Sequence, residues 1–171
     1  YPGTMGAELI DNIIADENII PENEKENYSE DIIYLPNCYQ PNTEFKNITK
    51  DNLKRKDYNL PENKTVYCNF GPSYKITSEI FDLWMDILKE VPNSILWLLE
   101  SDVSASRNII KEAIKRNISK ERILFGKYLP HEQHLKRISL GDIFLDTYPC
   151  NAHTTASDSI KVSVPIITLK G

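Results

Sequence analysis

The chain has 171 residues, 40% of them hydrophobic and 26% charged, which suits one ordinary domain with a real core, or one domain and a piece of another. A net charge of -5 argues against a nucleic-acid partner, and no apolar run approaches the roughly 20 residues of a membrane span. Cys38, Cys68 and Cys150 are odd in number and form no CxxC, so reduced thiols, a cytoplasmic location and no structural zinc are expected.

Tyr1–Ala7 carries Gly3 and Gly6 and reads as a turn. Leu9–Ala15 is a short apolar run expected as a strand. Pro21 keeps a helix interior out of the polar stretch that follows. Asp31–Leu35, DIIYL, is a second candidate strand, and 36–43 is a loop. These residues are too few for a domain of their own and read as the tail of a preceding one. Residues 44–60 are charged and polar. Their run Lys54, Arg55, Lys56 is flanked by acidic residues and has no interleaved aromatic ladder, so a solvated linker is expected there.

From residue 61 the pattern becomes regular. Thr65–Phe70 predicts a strand. Thr77–Glu90 predicts a helix capped by Thr77, with Ile80, Phe81, Trp84, Ile87 and Leu88 on one face. Ser94–Leu99 is apolar on both faces. Ser104–Asn117 predicts a helix on Ile109, Ile110, Ala113 and Ile114. Arg122–Phe125 predicts a third strand and His131–Ser139 a short helix entered through Pro130. Asp142–Tyr148 predicts a fourth strand, Thr154 opens a helix, and Pro165–Leu169 predicts a last strand. Strands alternating with helices at short spacing imply an α/β fold: a parallel, doubly wound, Rossmann-like sheet. The start at Tyr1 and the stop at Gly171 directly after an apolar strand suggest a fragment truncated at both ends.

In such sheets ligands bind beyond the carboxyl ends of the strands. Lys75, His131, His134 and His153 all fall in or beside loops that follow strands. The strand, tight loop and polar helix start at 142–158 form an anion site, because the first amides of a helix lack intrahelical partners and its dipole adds positive charge. There His153, Thr154 and Thr155 can join the amides around a phosphate, and Asp158 can accept from a ribose. The alternative is a Thr N-cap and a solvated loop histidine. Lys75 suits a phosphate and equally a plain surface position. His134 can face a base or sugar, or cap the edge of the core. Arg137 can stack on or hydrogen-bond a planar base, or lie in solvent. No GxGxxG, Walker A lysine motif, DxD pair or GxSxG elbow occurs, so a phosphate site here relies on helix dipole, Lys75 and hydroxyls without a metal.

The run NAHTTASD at 151–158, preceded by DIFLDTYP, resembles the donor-binding motif of glycosyltransferase family 41, which holds the protein O-linked N-acetylglucosamine transferases and the SPINDLY proteins. YPGTMGAELIDNIIAD, YSEDIIYLPNCYQPN, the run from Tyr74 to Ser101 and LPHEQHLKR are similar in the same order. The resemblance implies a two-domain GT-B architecture, usually behind tetratricopeptide repeats. Residues 1–43 would end the first catalytic domain, 44–60 would link, and 61–171 would form most of the nucleotide-sugar-binding domain.

It further implies inverting transfer of N-acetylglucosamine from UDP-N-acetylglucosamine to Ser or Thr of acceptor proteins. The alternatives are a GDP-fucose donor, as in SPINDLY relatives, or a nucleotide-binding module without activity. By the same resemblance Lys75 contacts the diphosphate and acts in catalysis, His153, Thr154 and Thr155 cradle it, and Asp158 holds the ribose. His134 and Arg137 lie at the base and sugar. The resemblance implies no metal and no cofactor beyond the donor. Family members usually carry Asn-Gln where Gly71 and Pro72 stand, and His131 stands where a ribose-contacting lysine is often found. The fragment by itself is expected to be inactive.

Overall fold

The computed structural model describes residues 3–42 and 53–169. The chain divides into two compact units, 1–44 and 45–171. Among the described residues no helix is long and apolar enough to cross a membrane.

The smaller unit pairs β1 (Asn12–Ala15) with β2 (Asp31–Tyr34) in parallel, with Ile13 opposite Ile32 and Ile14 opposite Ile33. Branched side chains favour this extended pairing. A 3-10 turn at Glu22–Asn27 lies between the strands, entered through Pro21. Burial works to raise the Asp16 pKa, but N–H groups of Tyr39, Ile19 and Asn18 donate to its carboxylate and hold it below the usual range.

The larger unit is built on five parallel strands: β3 (Thr65–Asn69), β4 (Ser94–Leu99), β5 (Ile123–Gly126), β6 (Ile143–Leu145) and β7 (Ile166–Ile167). Their order across the sheet is β5-β4-β3-β6-β7. Helices α1 (Ser78–Glu90), α2 (Val103–Lys115), α3 (His131–Ile138) and α4 (Thr154–Lys161) make the crossovers. Strand side chains alternate between two cores. Tyr67, Leu96, Leu98 and Leu145 pack with Trp84, Met85 and Leu88 of α1 and Ala113 of α2. Val66, Cys68, Ile95, Trp97 and Phe144 pack with Leu135 and Ile138 of α3 and Val162 beyond α4. Both faces are therefore covered, as a parallel sheet demands.

Thr77 caps α1 by accepting from the Ile80 N–H. Asp102 caps α2, so that helix begins one residue before its expected start, and Asn117 at φ 63 lies beyond its end. On α2 the expected apolar face is narrower: Ile114 is 52% exposed, while Ser106 is buried. Arg122 lies in a 3-10 turn rather than in β5. Its guanidinium donates to the Leu88, Val91 and Ser94 carbonyls, so it closes the carboxyl end of α1.

Of the expected linker 44–60, residues 44–52 lie outside the described residues. Residues 53–60 pack onto the larger unit through Arg55, Tyr58 and Leu60, while Lys54, Lys56, Asp57 and Asn59 stay exposed. Leu60 joins the core beside Trp97, and Tyr58 meets the Trp97 ring edge-on at 5.8 Å. The Arg55 side chain is 17% exposed and donates to both Asp142 carboxylate oxygens at 2.8 Å and to the Leu140 and Lys64 carbonyls. The flanking charges had suggested solvent because the partner of Arg55 is 87 residues away.

Candidate functional site

The strand order reverses between β3 and β6. The chain leaves β3 toward β4 and β5 on one side, then returns to the other side for β6 and β7. At such a switch point the two adjacent loops diverge and leave a crevice beyond the carboxyl ends of the strands. Those loops are 70–77 after β3 and 146–153 after β6.

Asn69 ends β3 and is buried. Its Nδ2 donates to the Leu145 carbonyl at 2.7 Å, which ties the tips of β3 and β6 together. Its Oδ1 accepts from the Gly71 N–H at 2.8 Å and turns the chain out of the sheet. A Cβ on Gly71 would lie 3.0 Å from that oxygen, so the turn favours glycine. Pro72, at φ -66, then leads into a 3-10 turn at Ser73–Lys75. This rigid sequence delivers Lys75, whose Nζ donates to the Asn151 carbonyl at 3.0 Å. The Lys75 amine therefore stands beside the start of α4, although 76 residues separate it from Asn151. At the end of the same loop the Thr77 hydroxyl reaches the Tyr148 carbonyl at 3.4 Å.

The loop after β6 is organised by Asp146, which is 6% exposed. Its Oδ1 accepts from the N–H groups of Thr147 and Ala152, both at 2.7 Å. Its Oδ2 accepts from Asn151 Nδ2 at 3.1 Å and from the Thr168 hydroxyl at 2.8 Å. These side-chain bonds take over from the sheet ladder, which is why β6 stops at Leu145 and not at the expected Tyr148. For the same reason the last strand is only Ile166–Ile167, since Thr168 turns toward Asp146. Thr147 closes the loop by donating to the Cys150 carbonyl at 2.7 Å.

His153 is the N-cap residue of α4, with φ -109 and ψ -86, and its side chain makes no capping bond. Thr154 and Thr155 form the first turn. Partial burial and then the neighbouring Lys75 ammonium push the His153 pKa down, against a smaller pull from Asp146. The Lys75 cation thus stands beside a helix amino terminus that opens with Thr154 and Thr155, an arrangement that suits an anion.

Along one side of the crevice run α3 and the buried face of α4. Asp158 has a 5% exposed side chain, and both its oxygens lie 3.2 Å from His131 Nε2. The carboxylate expected to hold a ribose therefore faces His131. Arg137 is buried. It is 1% exposed, with its guanidinium 4.4 Å over the Phe70 ring and 5.9 Å from the Trp97 ring. It does not lie in solvent. It donates to the Lys127 carbonyl and contacts His134 Nδ1 at 2.6 Å. A Cβ on Gly126 would come within 3.1 Å of its Nη1, so the glycine that ends β5 makes room for the guanidinium. The i, i+3 spacing of His134 and Arg137 was legible. That Phe70, Trp97 and Gly126 would enclose the arginine depended on three strands meeting.

Sequence reasoning missed Asn69 and Asp146 as organisers of the two loops. The signal was present: each is a polar residue at the carboxyl end of an apolar strand. Among the described residues no group of His, Cys, Asp and Glu side chains could hold a metal ion.

Residues 47–171 match the family model of Glycosyl transferase family 41. The chain is 38% identical over 175 residues to the Arabidopsis thaliana protein described as probable UDP-N-acetylglucosamine–peptide N-acetylglucosaminyltransferase SEC, covering 99% of this chain and 18% of that protein. It is 29% identical over 178 residues to the Solanum lycopersicum SPINDLY protein, whose description likewise reads probable UDP-N-acetylglucosamine–peptide N-acetylglucosaminyltransferase, covering 100% of this chain and again 18% of the relative. The chain therefore spans about a fifth of the length of either relative. In fold it is similar to a mutant of the Thermobaculum terrenum O-GlcNAc transferase, with a TM-score of 0.84, 24% identity, and coverage of 100% of this chain and 32% of that one. The glycosyltransferase WaaG of lipopolysaccharide biosynthesis aligns with a TM-score of 0.60 at 14% identity, over 91% of this chain and 42% of that one. The architecture is that of GT-B glycosyltransferases.

Proposed function

The chain belongs to glycosyltransferase family 41, and from that premise we propose that it supplies the donor site of a protein O-N-acetylglucosaminyltransferase using UDP-N-acetylglucosamine. The observation that carries this reading is the bond from Lys75 to the Asn151 carbonyl, which sets a cation beside the α4 amino terminus at the switch point. A sugar nucleoside diphosphate is the ligand class this arrangement suits.

In the proposed reaction a Ser or Thr hydroxyl of the acceptor attacks the anomeric carbon from the face opposite the UDP, so the configuration inverts. The new C–O bond forms as the bond to the β-phosphate oxygen breaks, and the hydroxyl proton passes to a general base. Negative charge develops on the departing diphosphate. Lys75, the first α4 amides, Thr154 and Thr155 are placed to stabilise that charge, and an interaction that strengthens as charge develops lowers the barrier. His153, whose pKa burial and then Lys75 push down, can donate a hydrogen bond to the diphosphate. No metal is required in this reading, since the cation and helix dipole stand in its place.

A second reading is a GDP-fucose donor, which the resemblance to SPINDLY proteins implies. Calorimetric titration of the full-length protein with UDP and with GDP separates the two, followed by transfer assays with EDTA present. UDP binding with transfer of N-acetylglucosamine to a protein acceptor supports the first reading. GDP binding without UDP binding supports the second. Binding of UDP without any transfer leaves a nucleotide-binding module, and no binding of either nucleotide overturns the proposal.

A further inference from the structure

We propose that Asn151 is a positioning residue for Lys75: its clamped side-chain amide fixes the Asn151–Ala152 peptide, whose carbonyl orients the Lys75 ammonium without neutralising it. This rests on the donor-site reading above and adds the device that sets the lysine. Asn151 lies in a stretch without regular structure, so side-chain bonds hold its backbone. Its Nδ2 lies 3.1 Å from Asp146 Oδ2, from the Thr147 carbonyl and from the Thr168 hydroxyl, and 3.4 Å from the Leu169 carbonyl. Carbonyls and a carboxylate only accept, so the amide nitrogen and not its oxygen points into this cluster. Thr168 donates its own proton to Asp146 Oδ2 at 2.8 Å, which ties the loop after β7 to the same carboxylate.

The Asn151–Ala152 peptide is trans, so its N–H and its C=O point in opposite directions. On one edge the Ala152 N–H donates to Asp146 Oδ1 at 2.7 Å. On the other the Asn151 carbonyl accepts from Lys75 Nζ at 3.0 Å. A carboxylate and an ammonium therefore bracket one amide, and each charge polarises it in the sense that strengthens the other's bond. A direct Asp–Lys pair would cancel the cation that an anion site needs. The neutral carbonyl instead engages one of the three ammonium donors, and the other two are assigned to the diphosphate. Lys75 itself comes from the 3-10 turn entered through Pro72, so both ends of the bond sit on defined backbone.

The test uses the full-length protein with UDP as the probe. Asn151→Ala is expected to bind UDP about ten-fold more weakly, the scale of one hydrogen bond to a charged group. In a Lys75→Met background the same substitution should weaken binding by less than about two-fold, because the lysine through which Asn151 acts is gone. Thr168→Val removes one anchor of the amide and should lose about three-fold, while Thr168→Ser should keep parental affinity. This pair carries the test if Asn151→Ala fails to fold. Competitive acetylation without nucleotide, read by peptide mass spectrometry against the exposed Lys111, gives a second readout. Lys75 should react several-fold faster in Asn151→Ala and in Thr168→Val than in the parent. Parental UDP affinity in folded Asn151→Ala, an equal loss with and without Lys75, or a parental Lys75 acetylation rate in both variants overturns the proposal. If the parent binds no UDP, the donor-site reading fails, and the acetylation rates still decide whether Asn151 sets the lysine.

Discussion

Asp146→Asn is the substitution that most directly probes how the crevice is held. The carboxylate accepts four hydrogen bonds: two backbone N–H groups at Oδ1, and the Asn151 amide and Thr168 hydroxyl at Oδ2. An asparagine can keep its oxygen toward Thr147 and Ala152. Its Nδ2 then replaces Oδ2 and opposes the Asn151 amide, donor to donor, while the Thr168 hydroxyl can turn to accept. One bond to a charged group is lost outright, worth roughly 1.5–3 kcal/mol, and the two retained backbone bonds lose their charge assistance. The sum is about 2–4 kcal/mol, placed on the loop that presents Asn151 to Lys75 and His153–Thr155 to the crevice. If that strain is relieved by local opening of the loop, UDP affinity falls by roughly 30-fold to several hundred-fold, since each 1.4 kcal/mol is a factor of ten. If the loop stays closed, the same free energy appears in global unfolding. The assay is paired: calorimetric UDP binding and urea unfolding of the same variant. The reasoning requires the two losses together to reach at least about 2 kcal/mol. A variant with parental urea midpoint and parental affinity would refute the assignment of Asp146 as the organiser of this loop.

Three further outcomes are expected. Lys75→Ala should weaken UDP binding by about 1.5–3 kcal/mol with little change in unfolding, and an unchanged affinity would remove Lys75 from the site. Gly141→Ala would place a Cβ 2.7 Å from the buried Cys68 Sγ and 3.3 Å from the Ile138 carbonyl, so a loss of roughly 1–3 kcal/mol is expected in denaturant melts, largely recovered by adding Cys68→Ala. The pH dependence of stability should show His134: its folded pKa is pushed down to about 4, chiefly by burial and then by Arg137. The unfolded chain takes up a proton there that the folded chain refuses, so stability falls as pH drops from about 6.5 toward 4, by at most about 1.4 kcal/mol per pH unit. His134→Gln should remove that slope, and an identical acid limb in the variant would show that His134 does not titrate this way.

Much of this protein was readable in one dimension because its strands are buried on both faces. Ser94–Leu99 is apolar from Ile95 onward and was expected at its observed bounds, and the Thr77 cap and the α1 face followed from period and capping chemistry alone. The order βαβα sufficed for a parallel sheet, and a parallel sheet sufficed to place every candidate loop at one end. For that reason the sequence alone pairs the Lys75 loop with the loop that carries His153–Thr155. Short-range hydrogen bonding and side-chain alternation carry that information, and both are properties of neighbouring residues.

What the tertiary structure alone decided concerns polar side chains whose partners are distant in sequence. Arg55 reads as a linker charge until Asp142 is brought to it, and Arg122 reads as a strand residue until the end of α1 arrives beside it. By spacing alone Arg137 reads equally as a solvated arginine, and only the packing shows Phe70 after β3, Trp97 within β4 and Gly126 at the end of β5 closing around its guanidinium. A buried charge is tolerated only where enough partners converge, and convergence is a fact of packing. The local sequence determines where a charged group sits along the chain, and the assembled sheet determines whether it meets water, a ligand or another part of the protein.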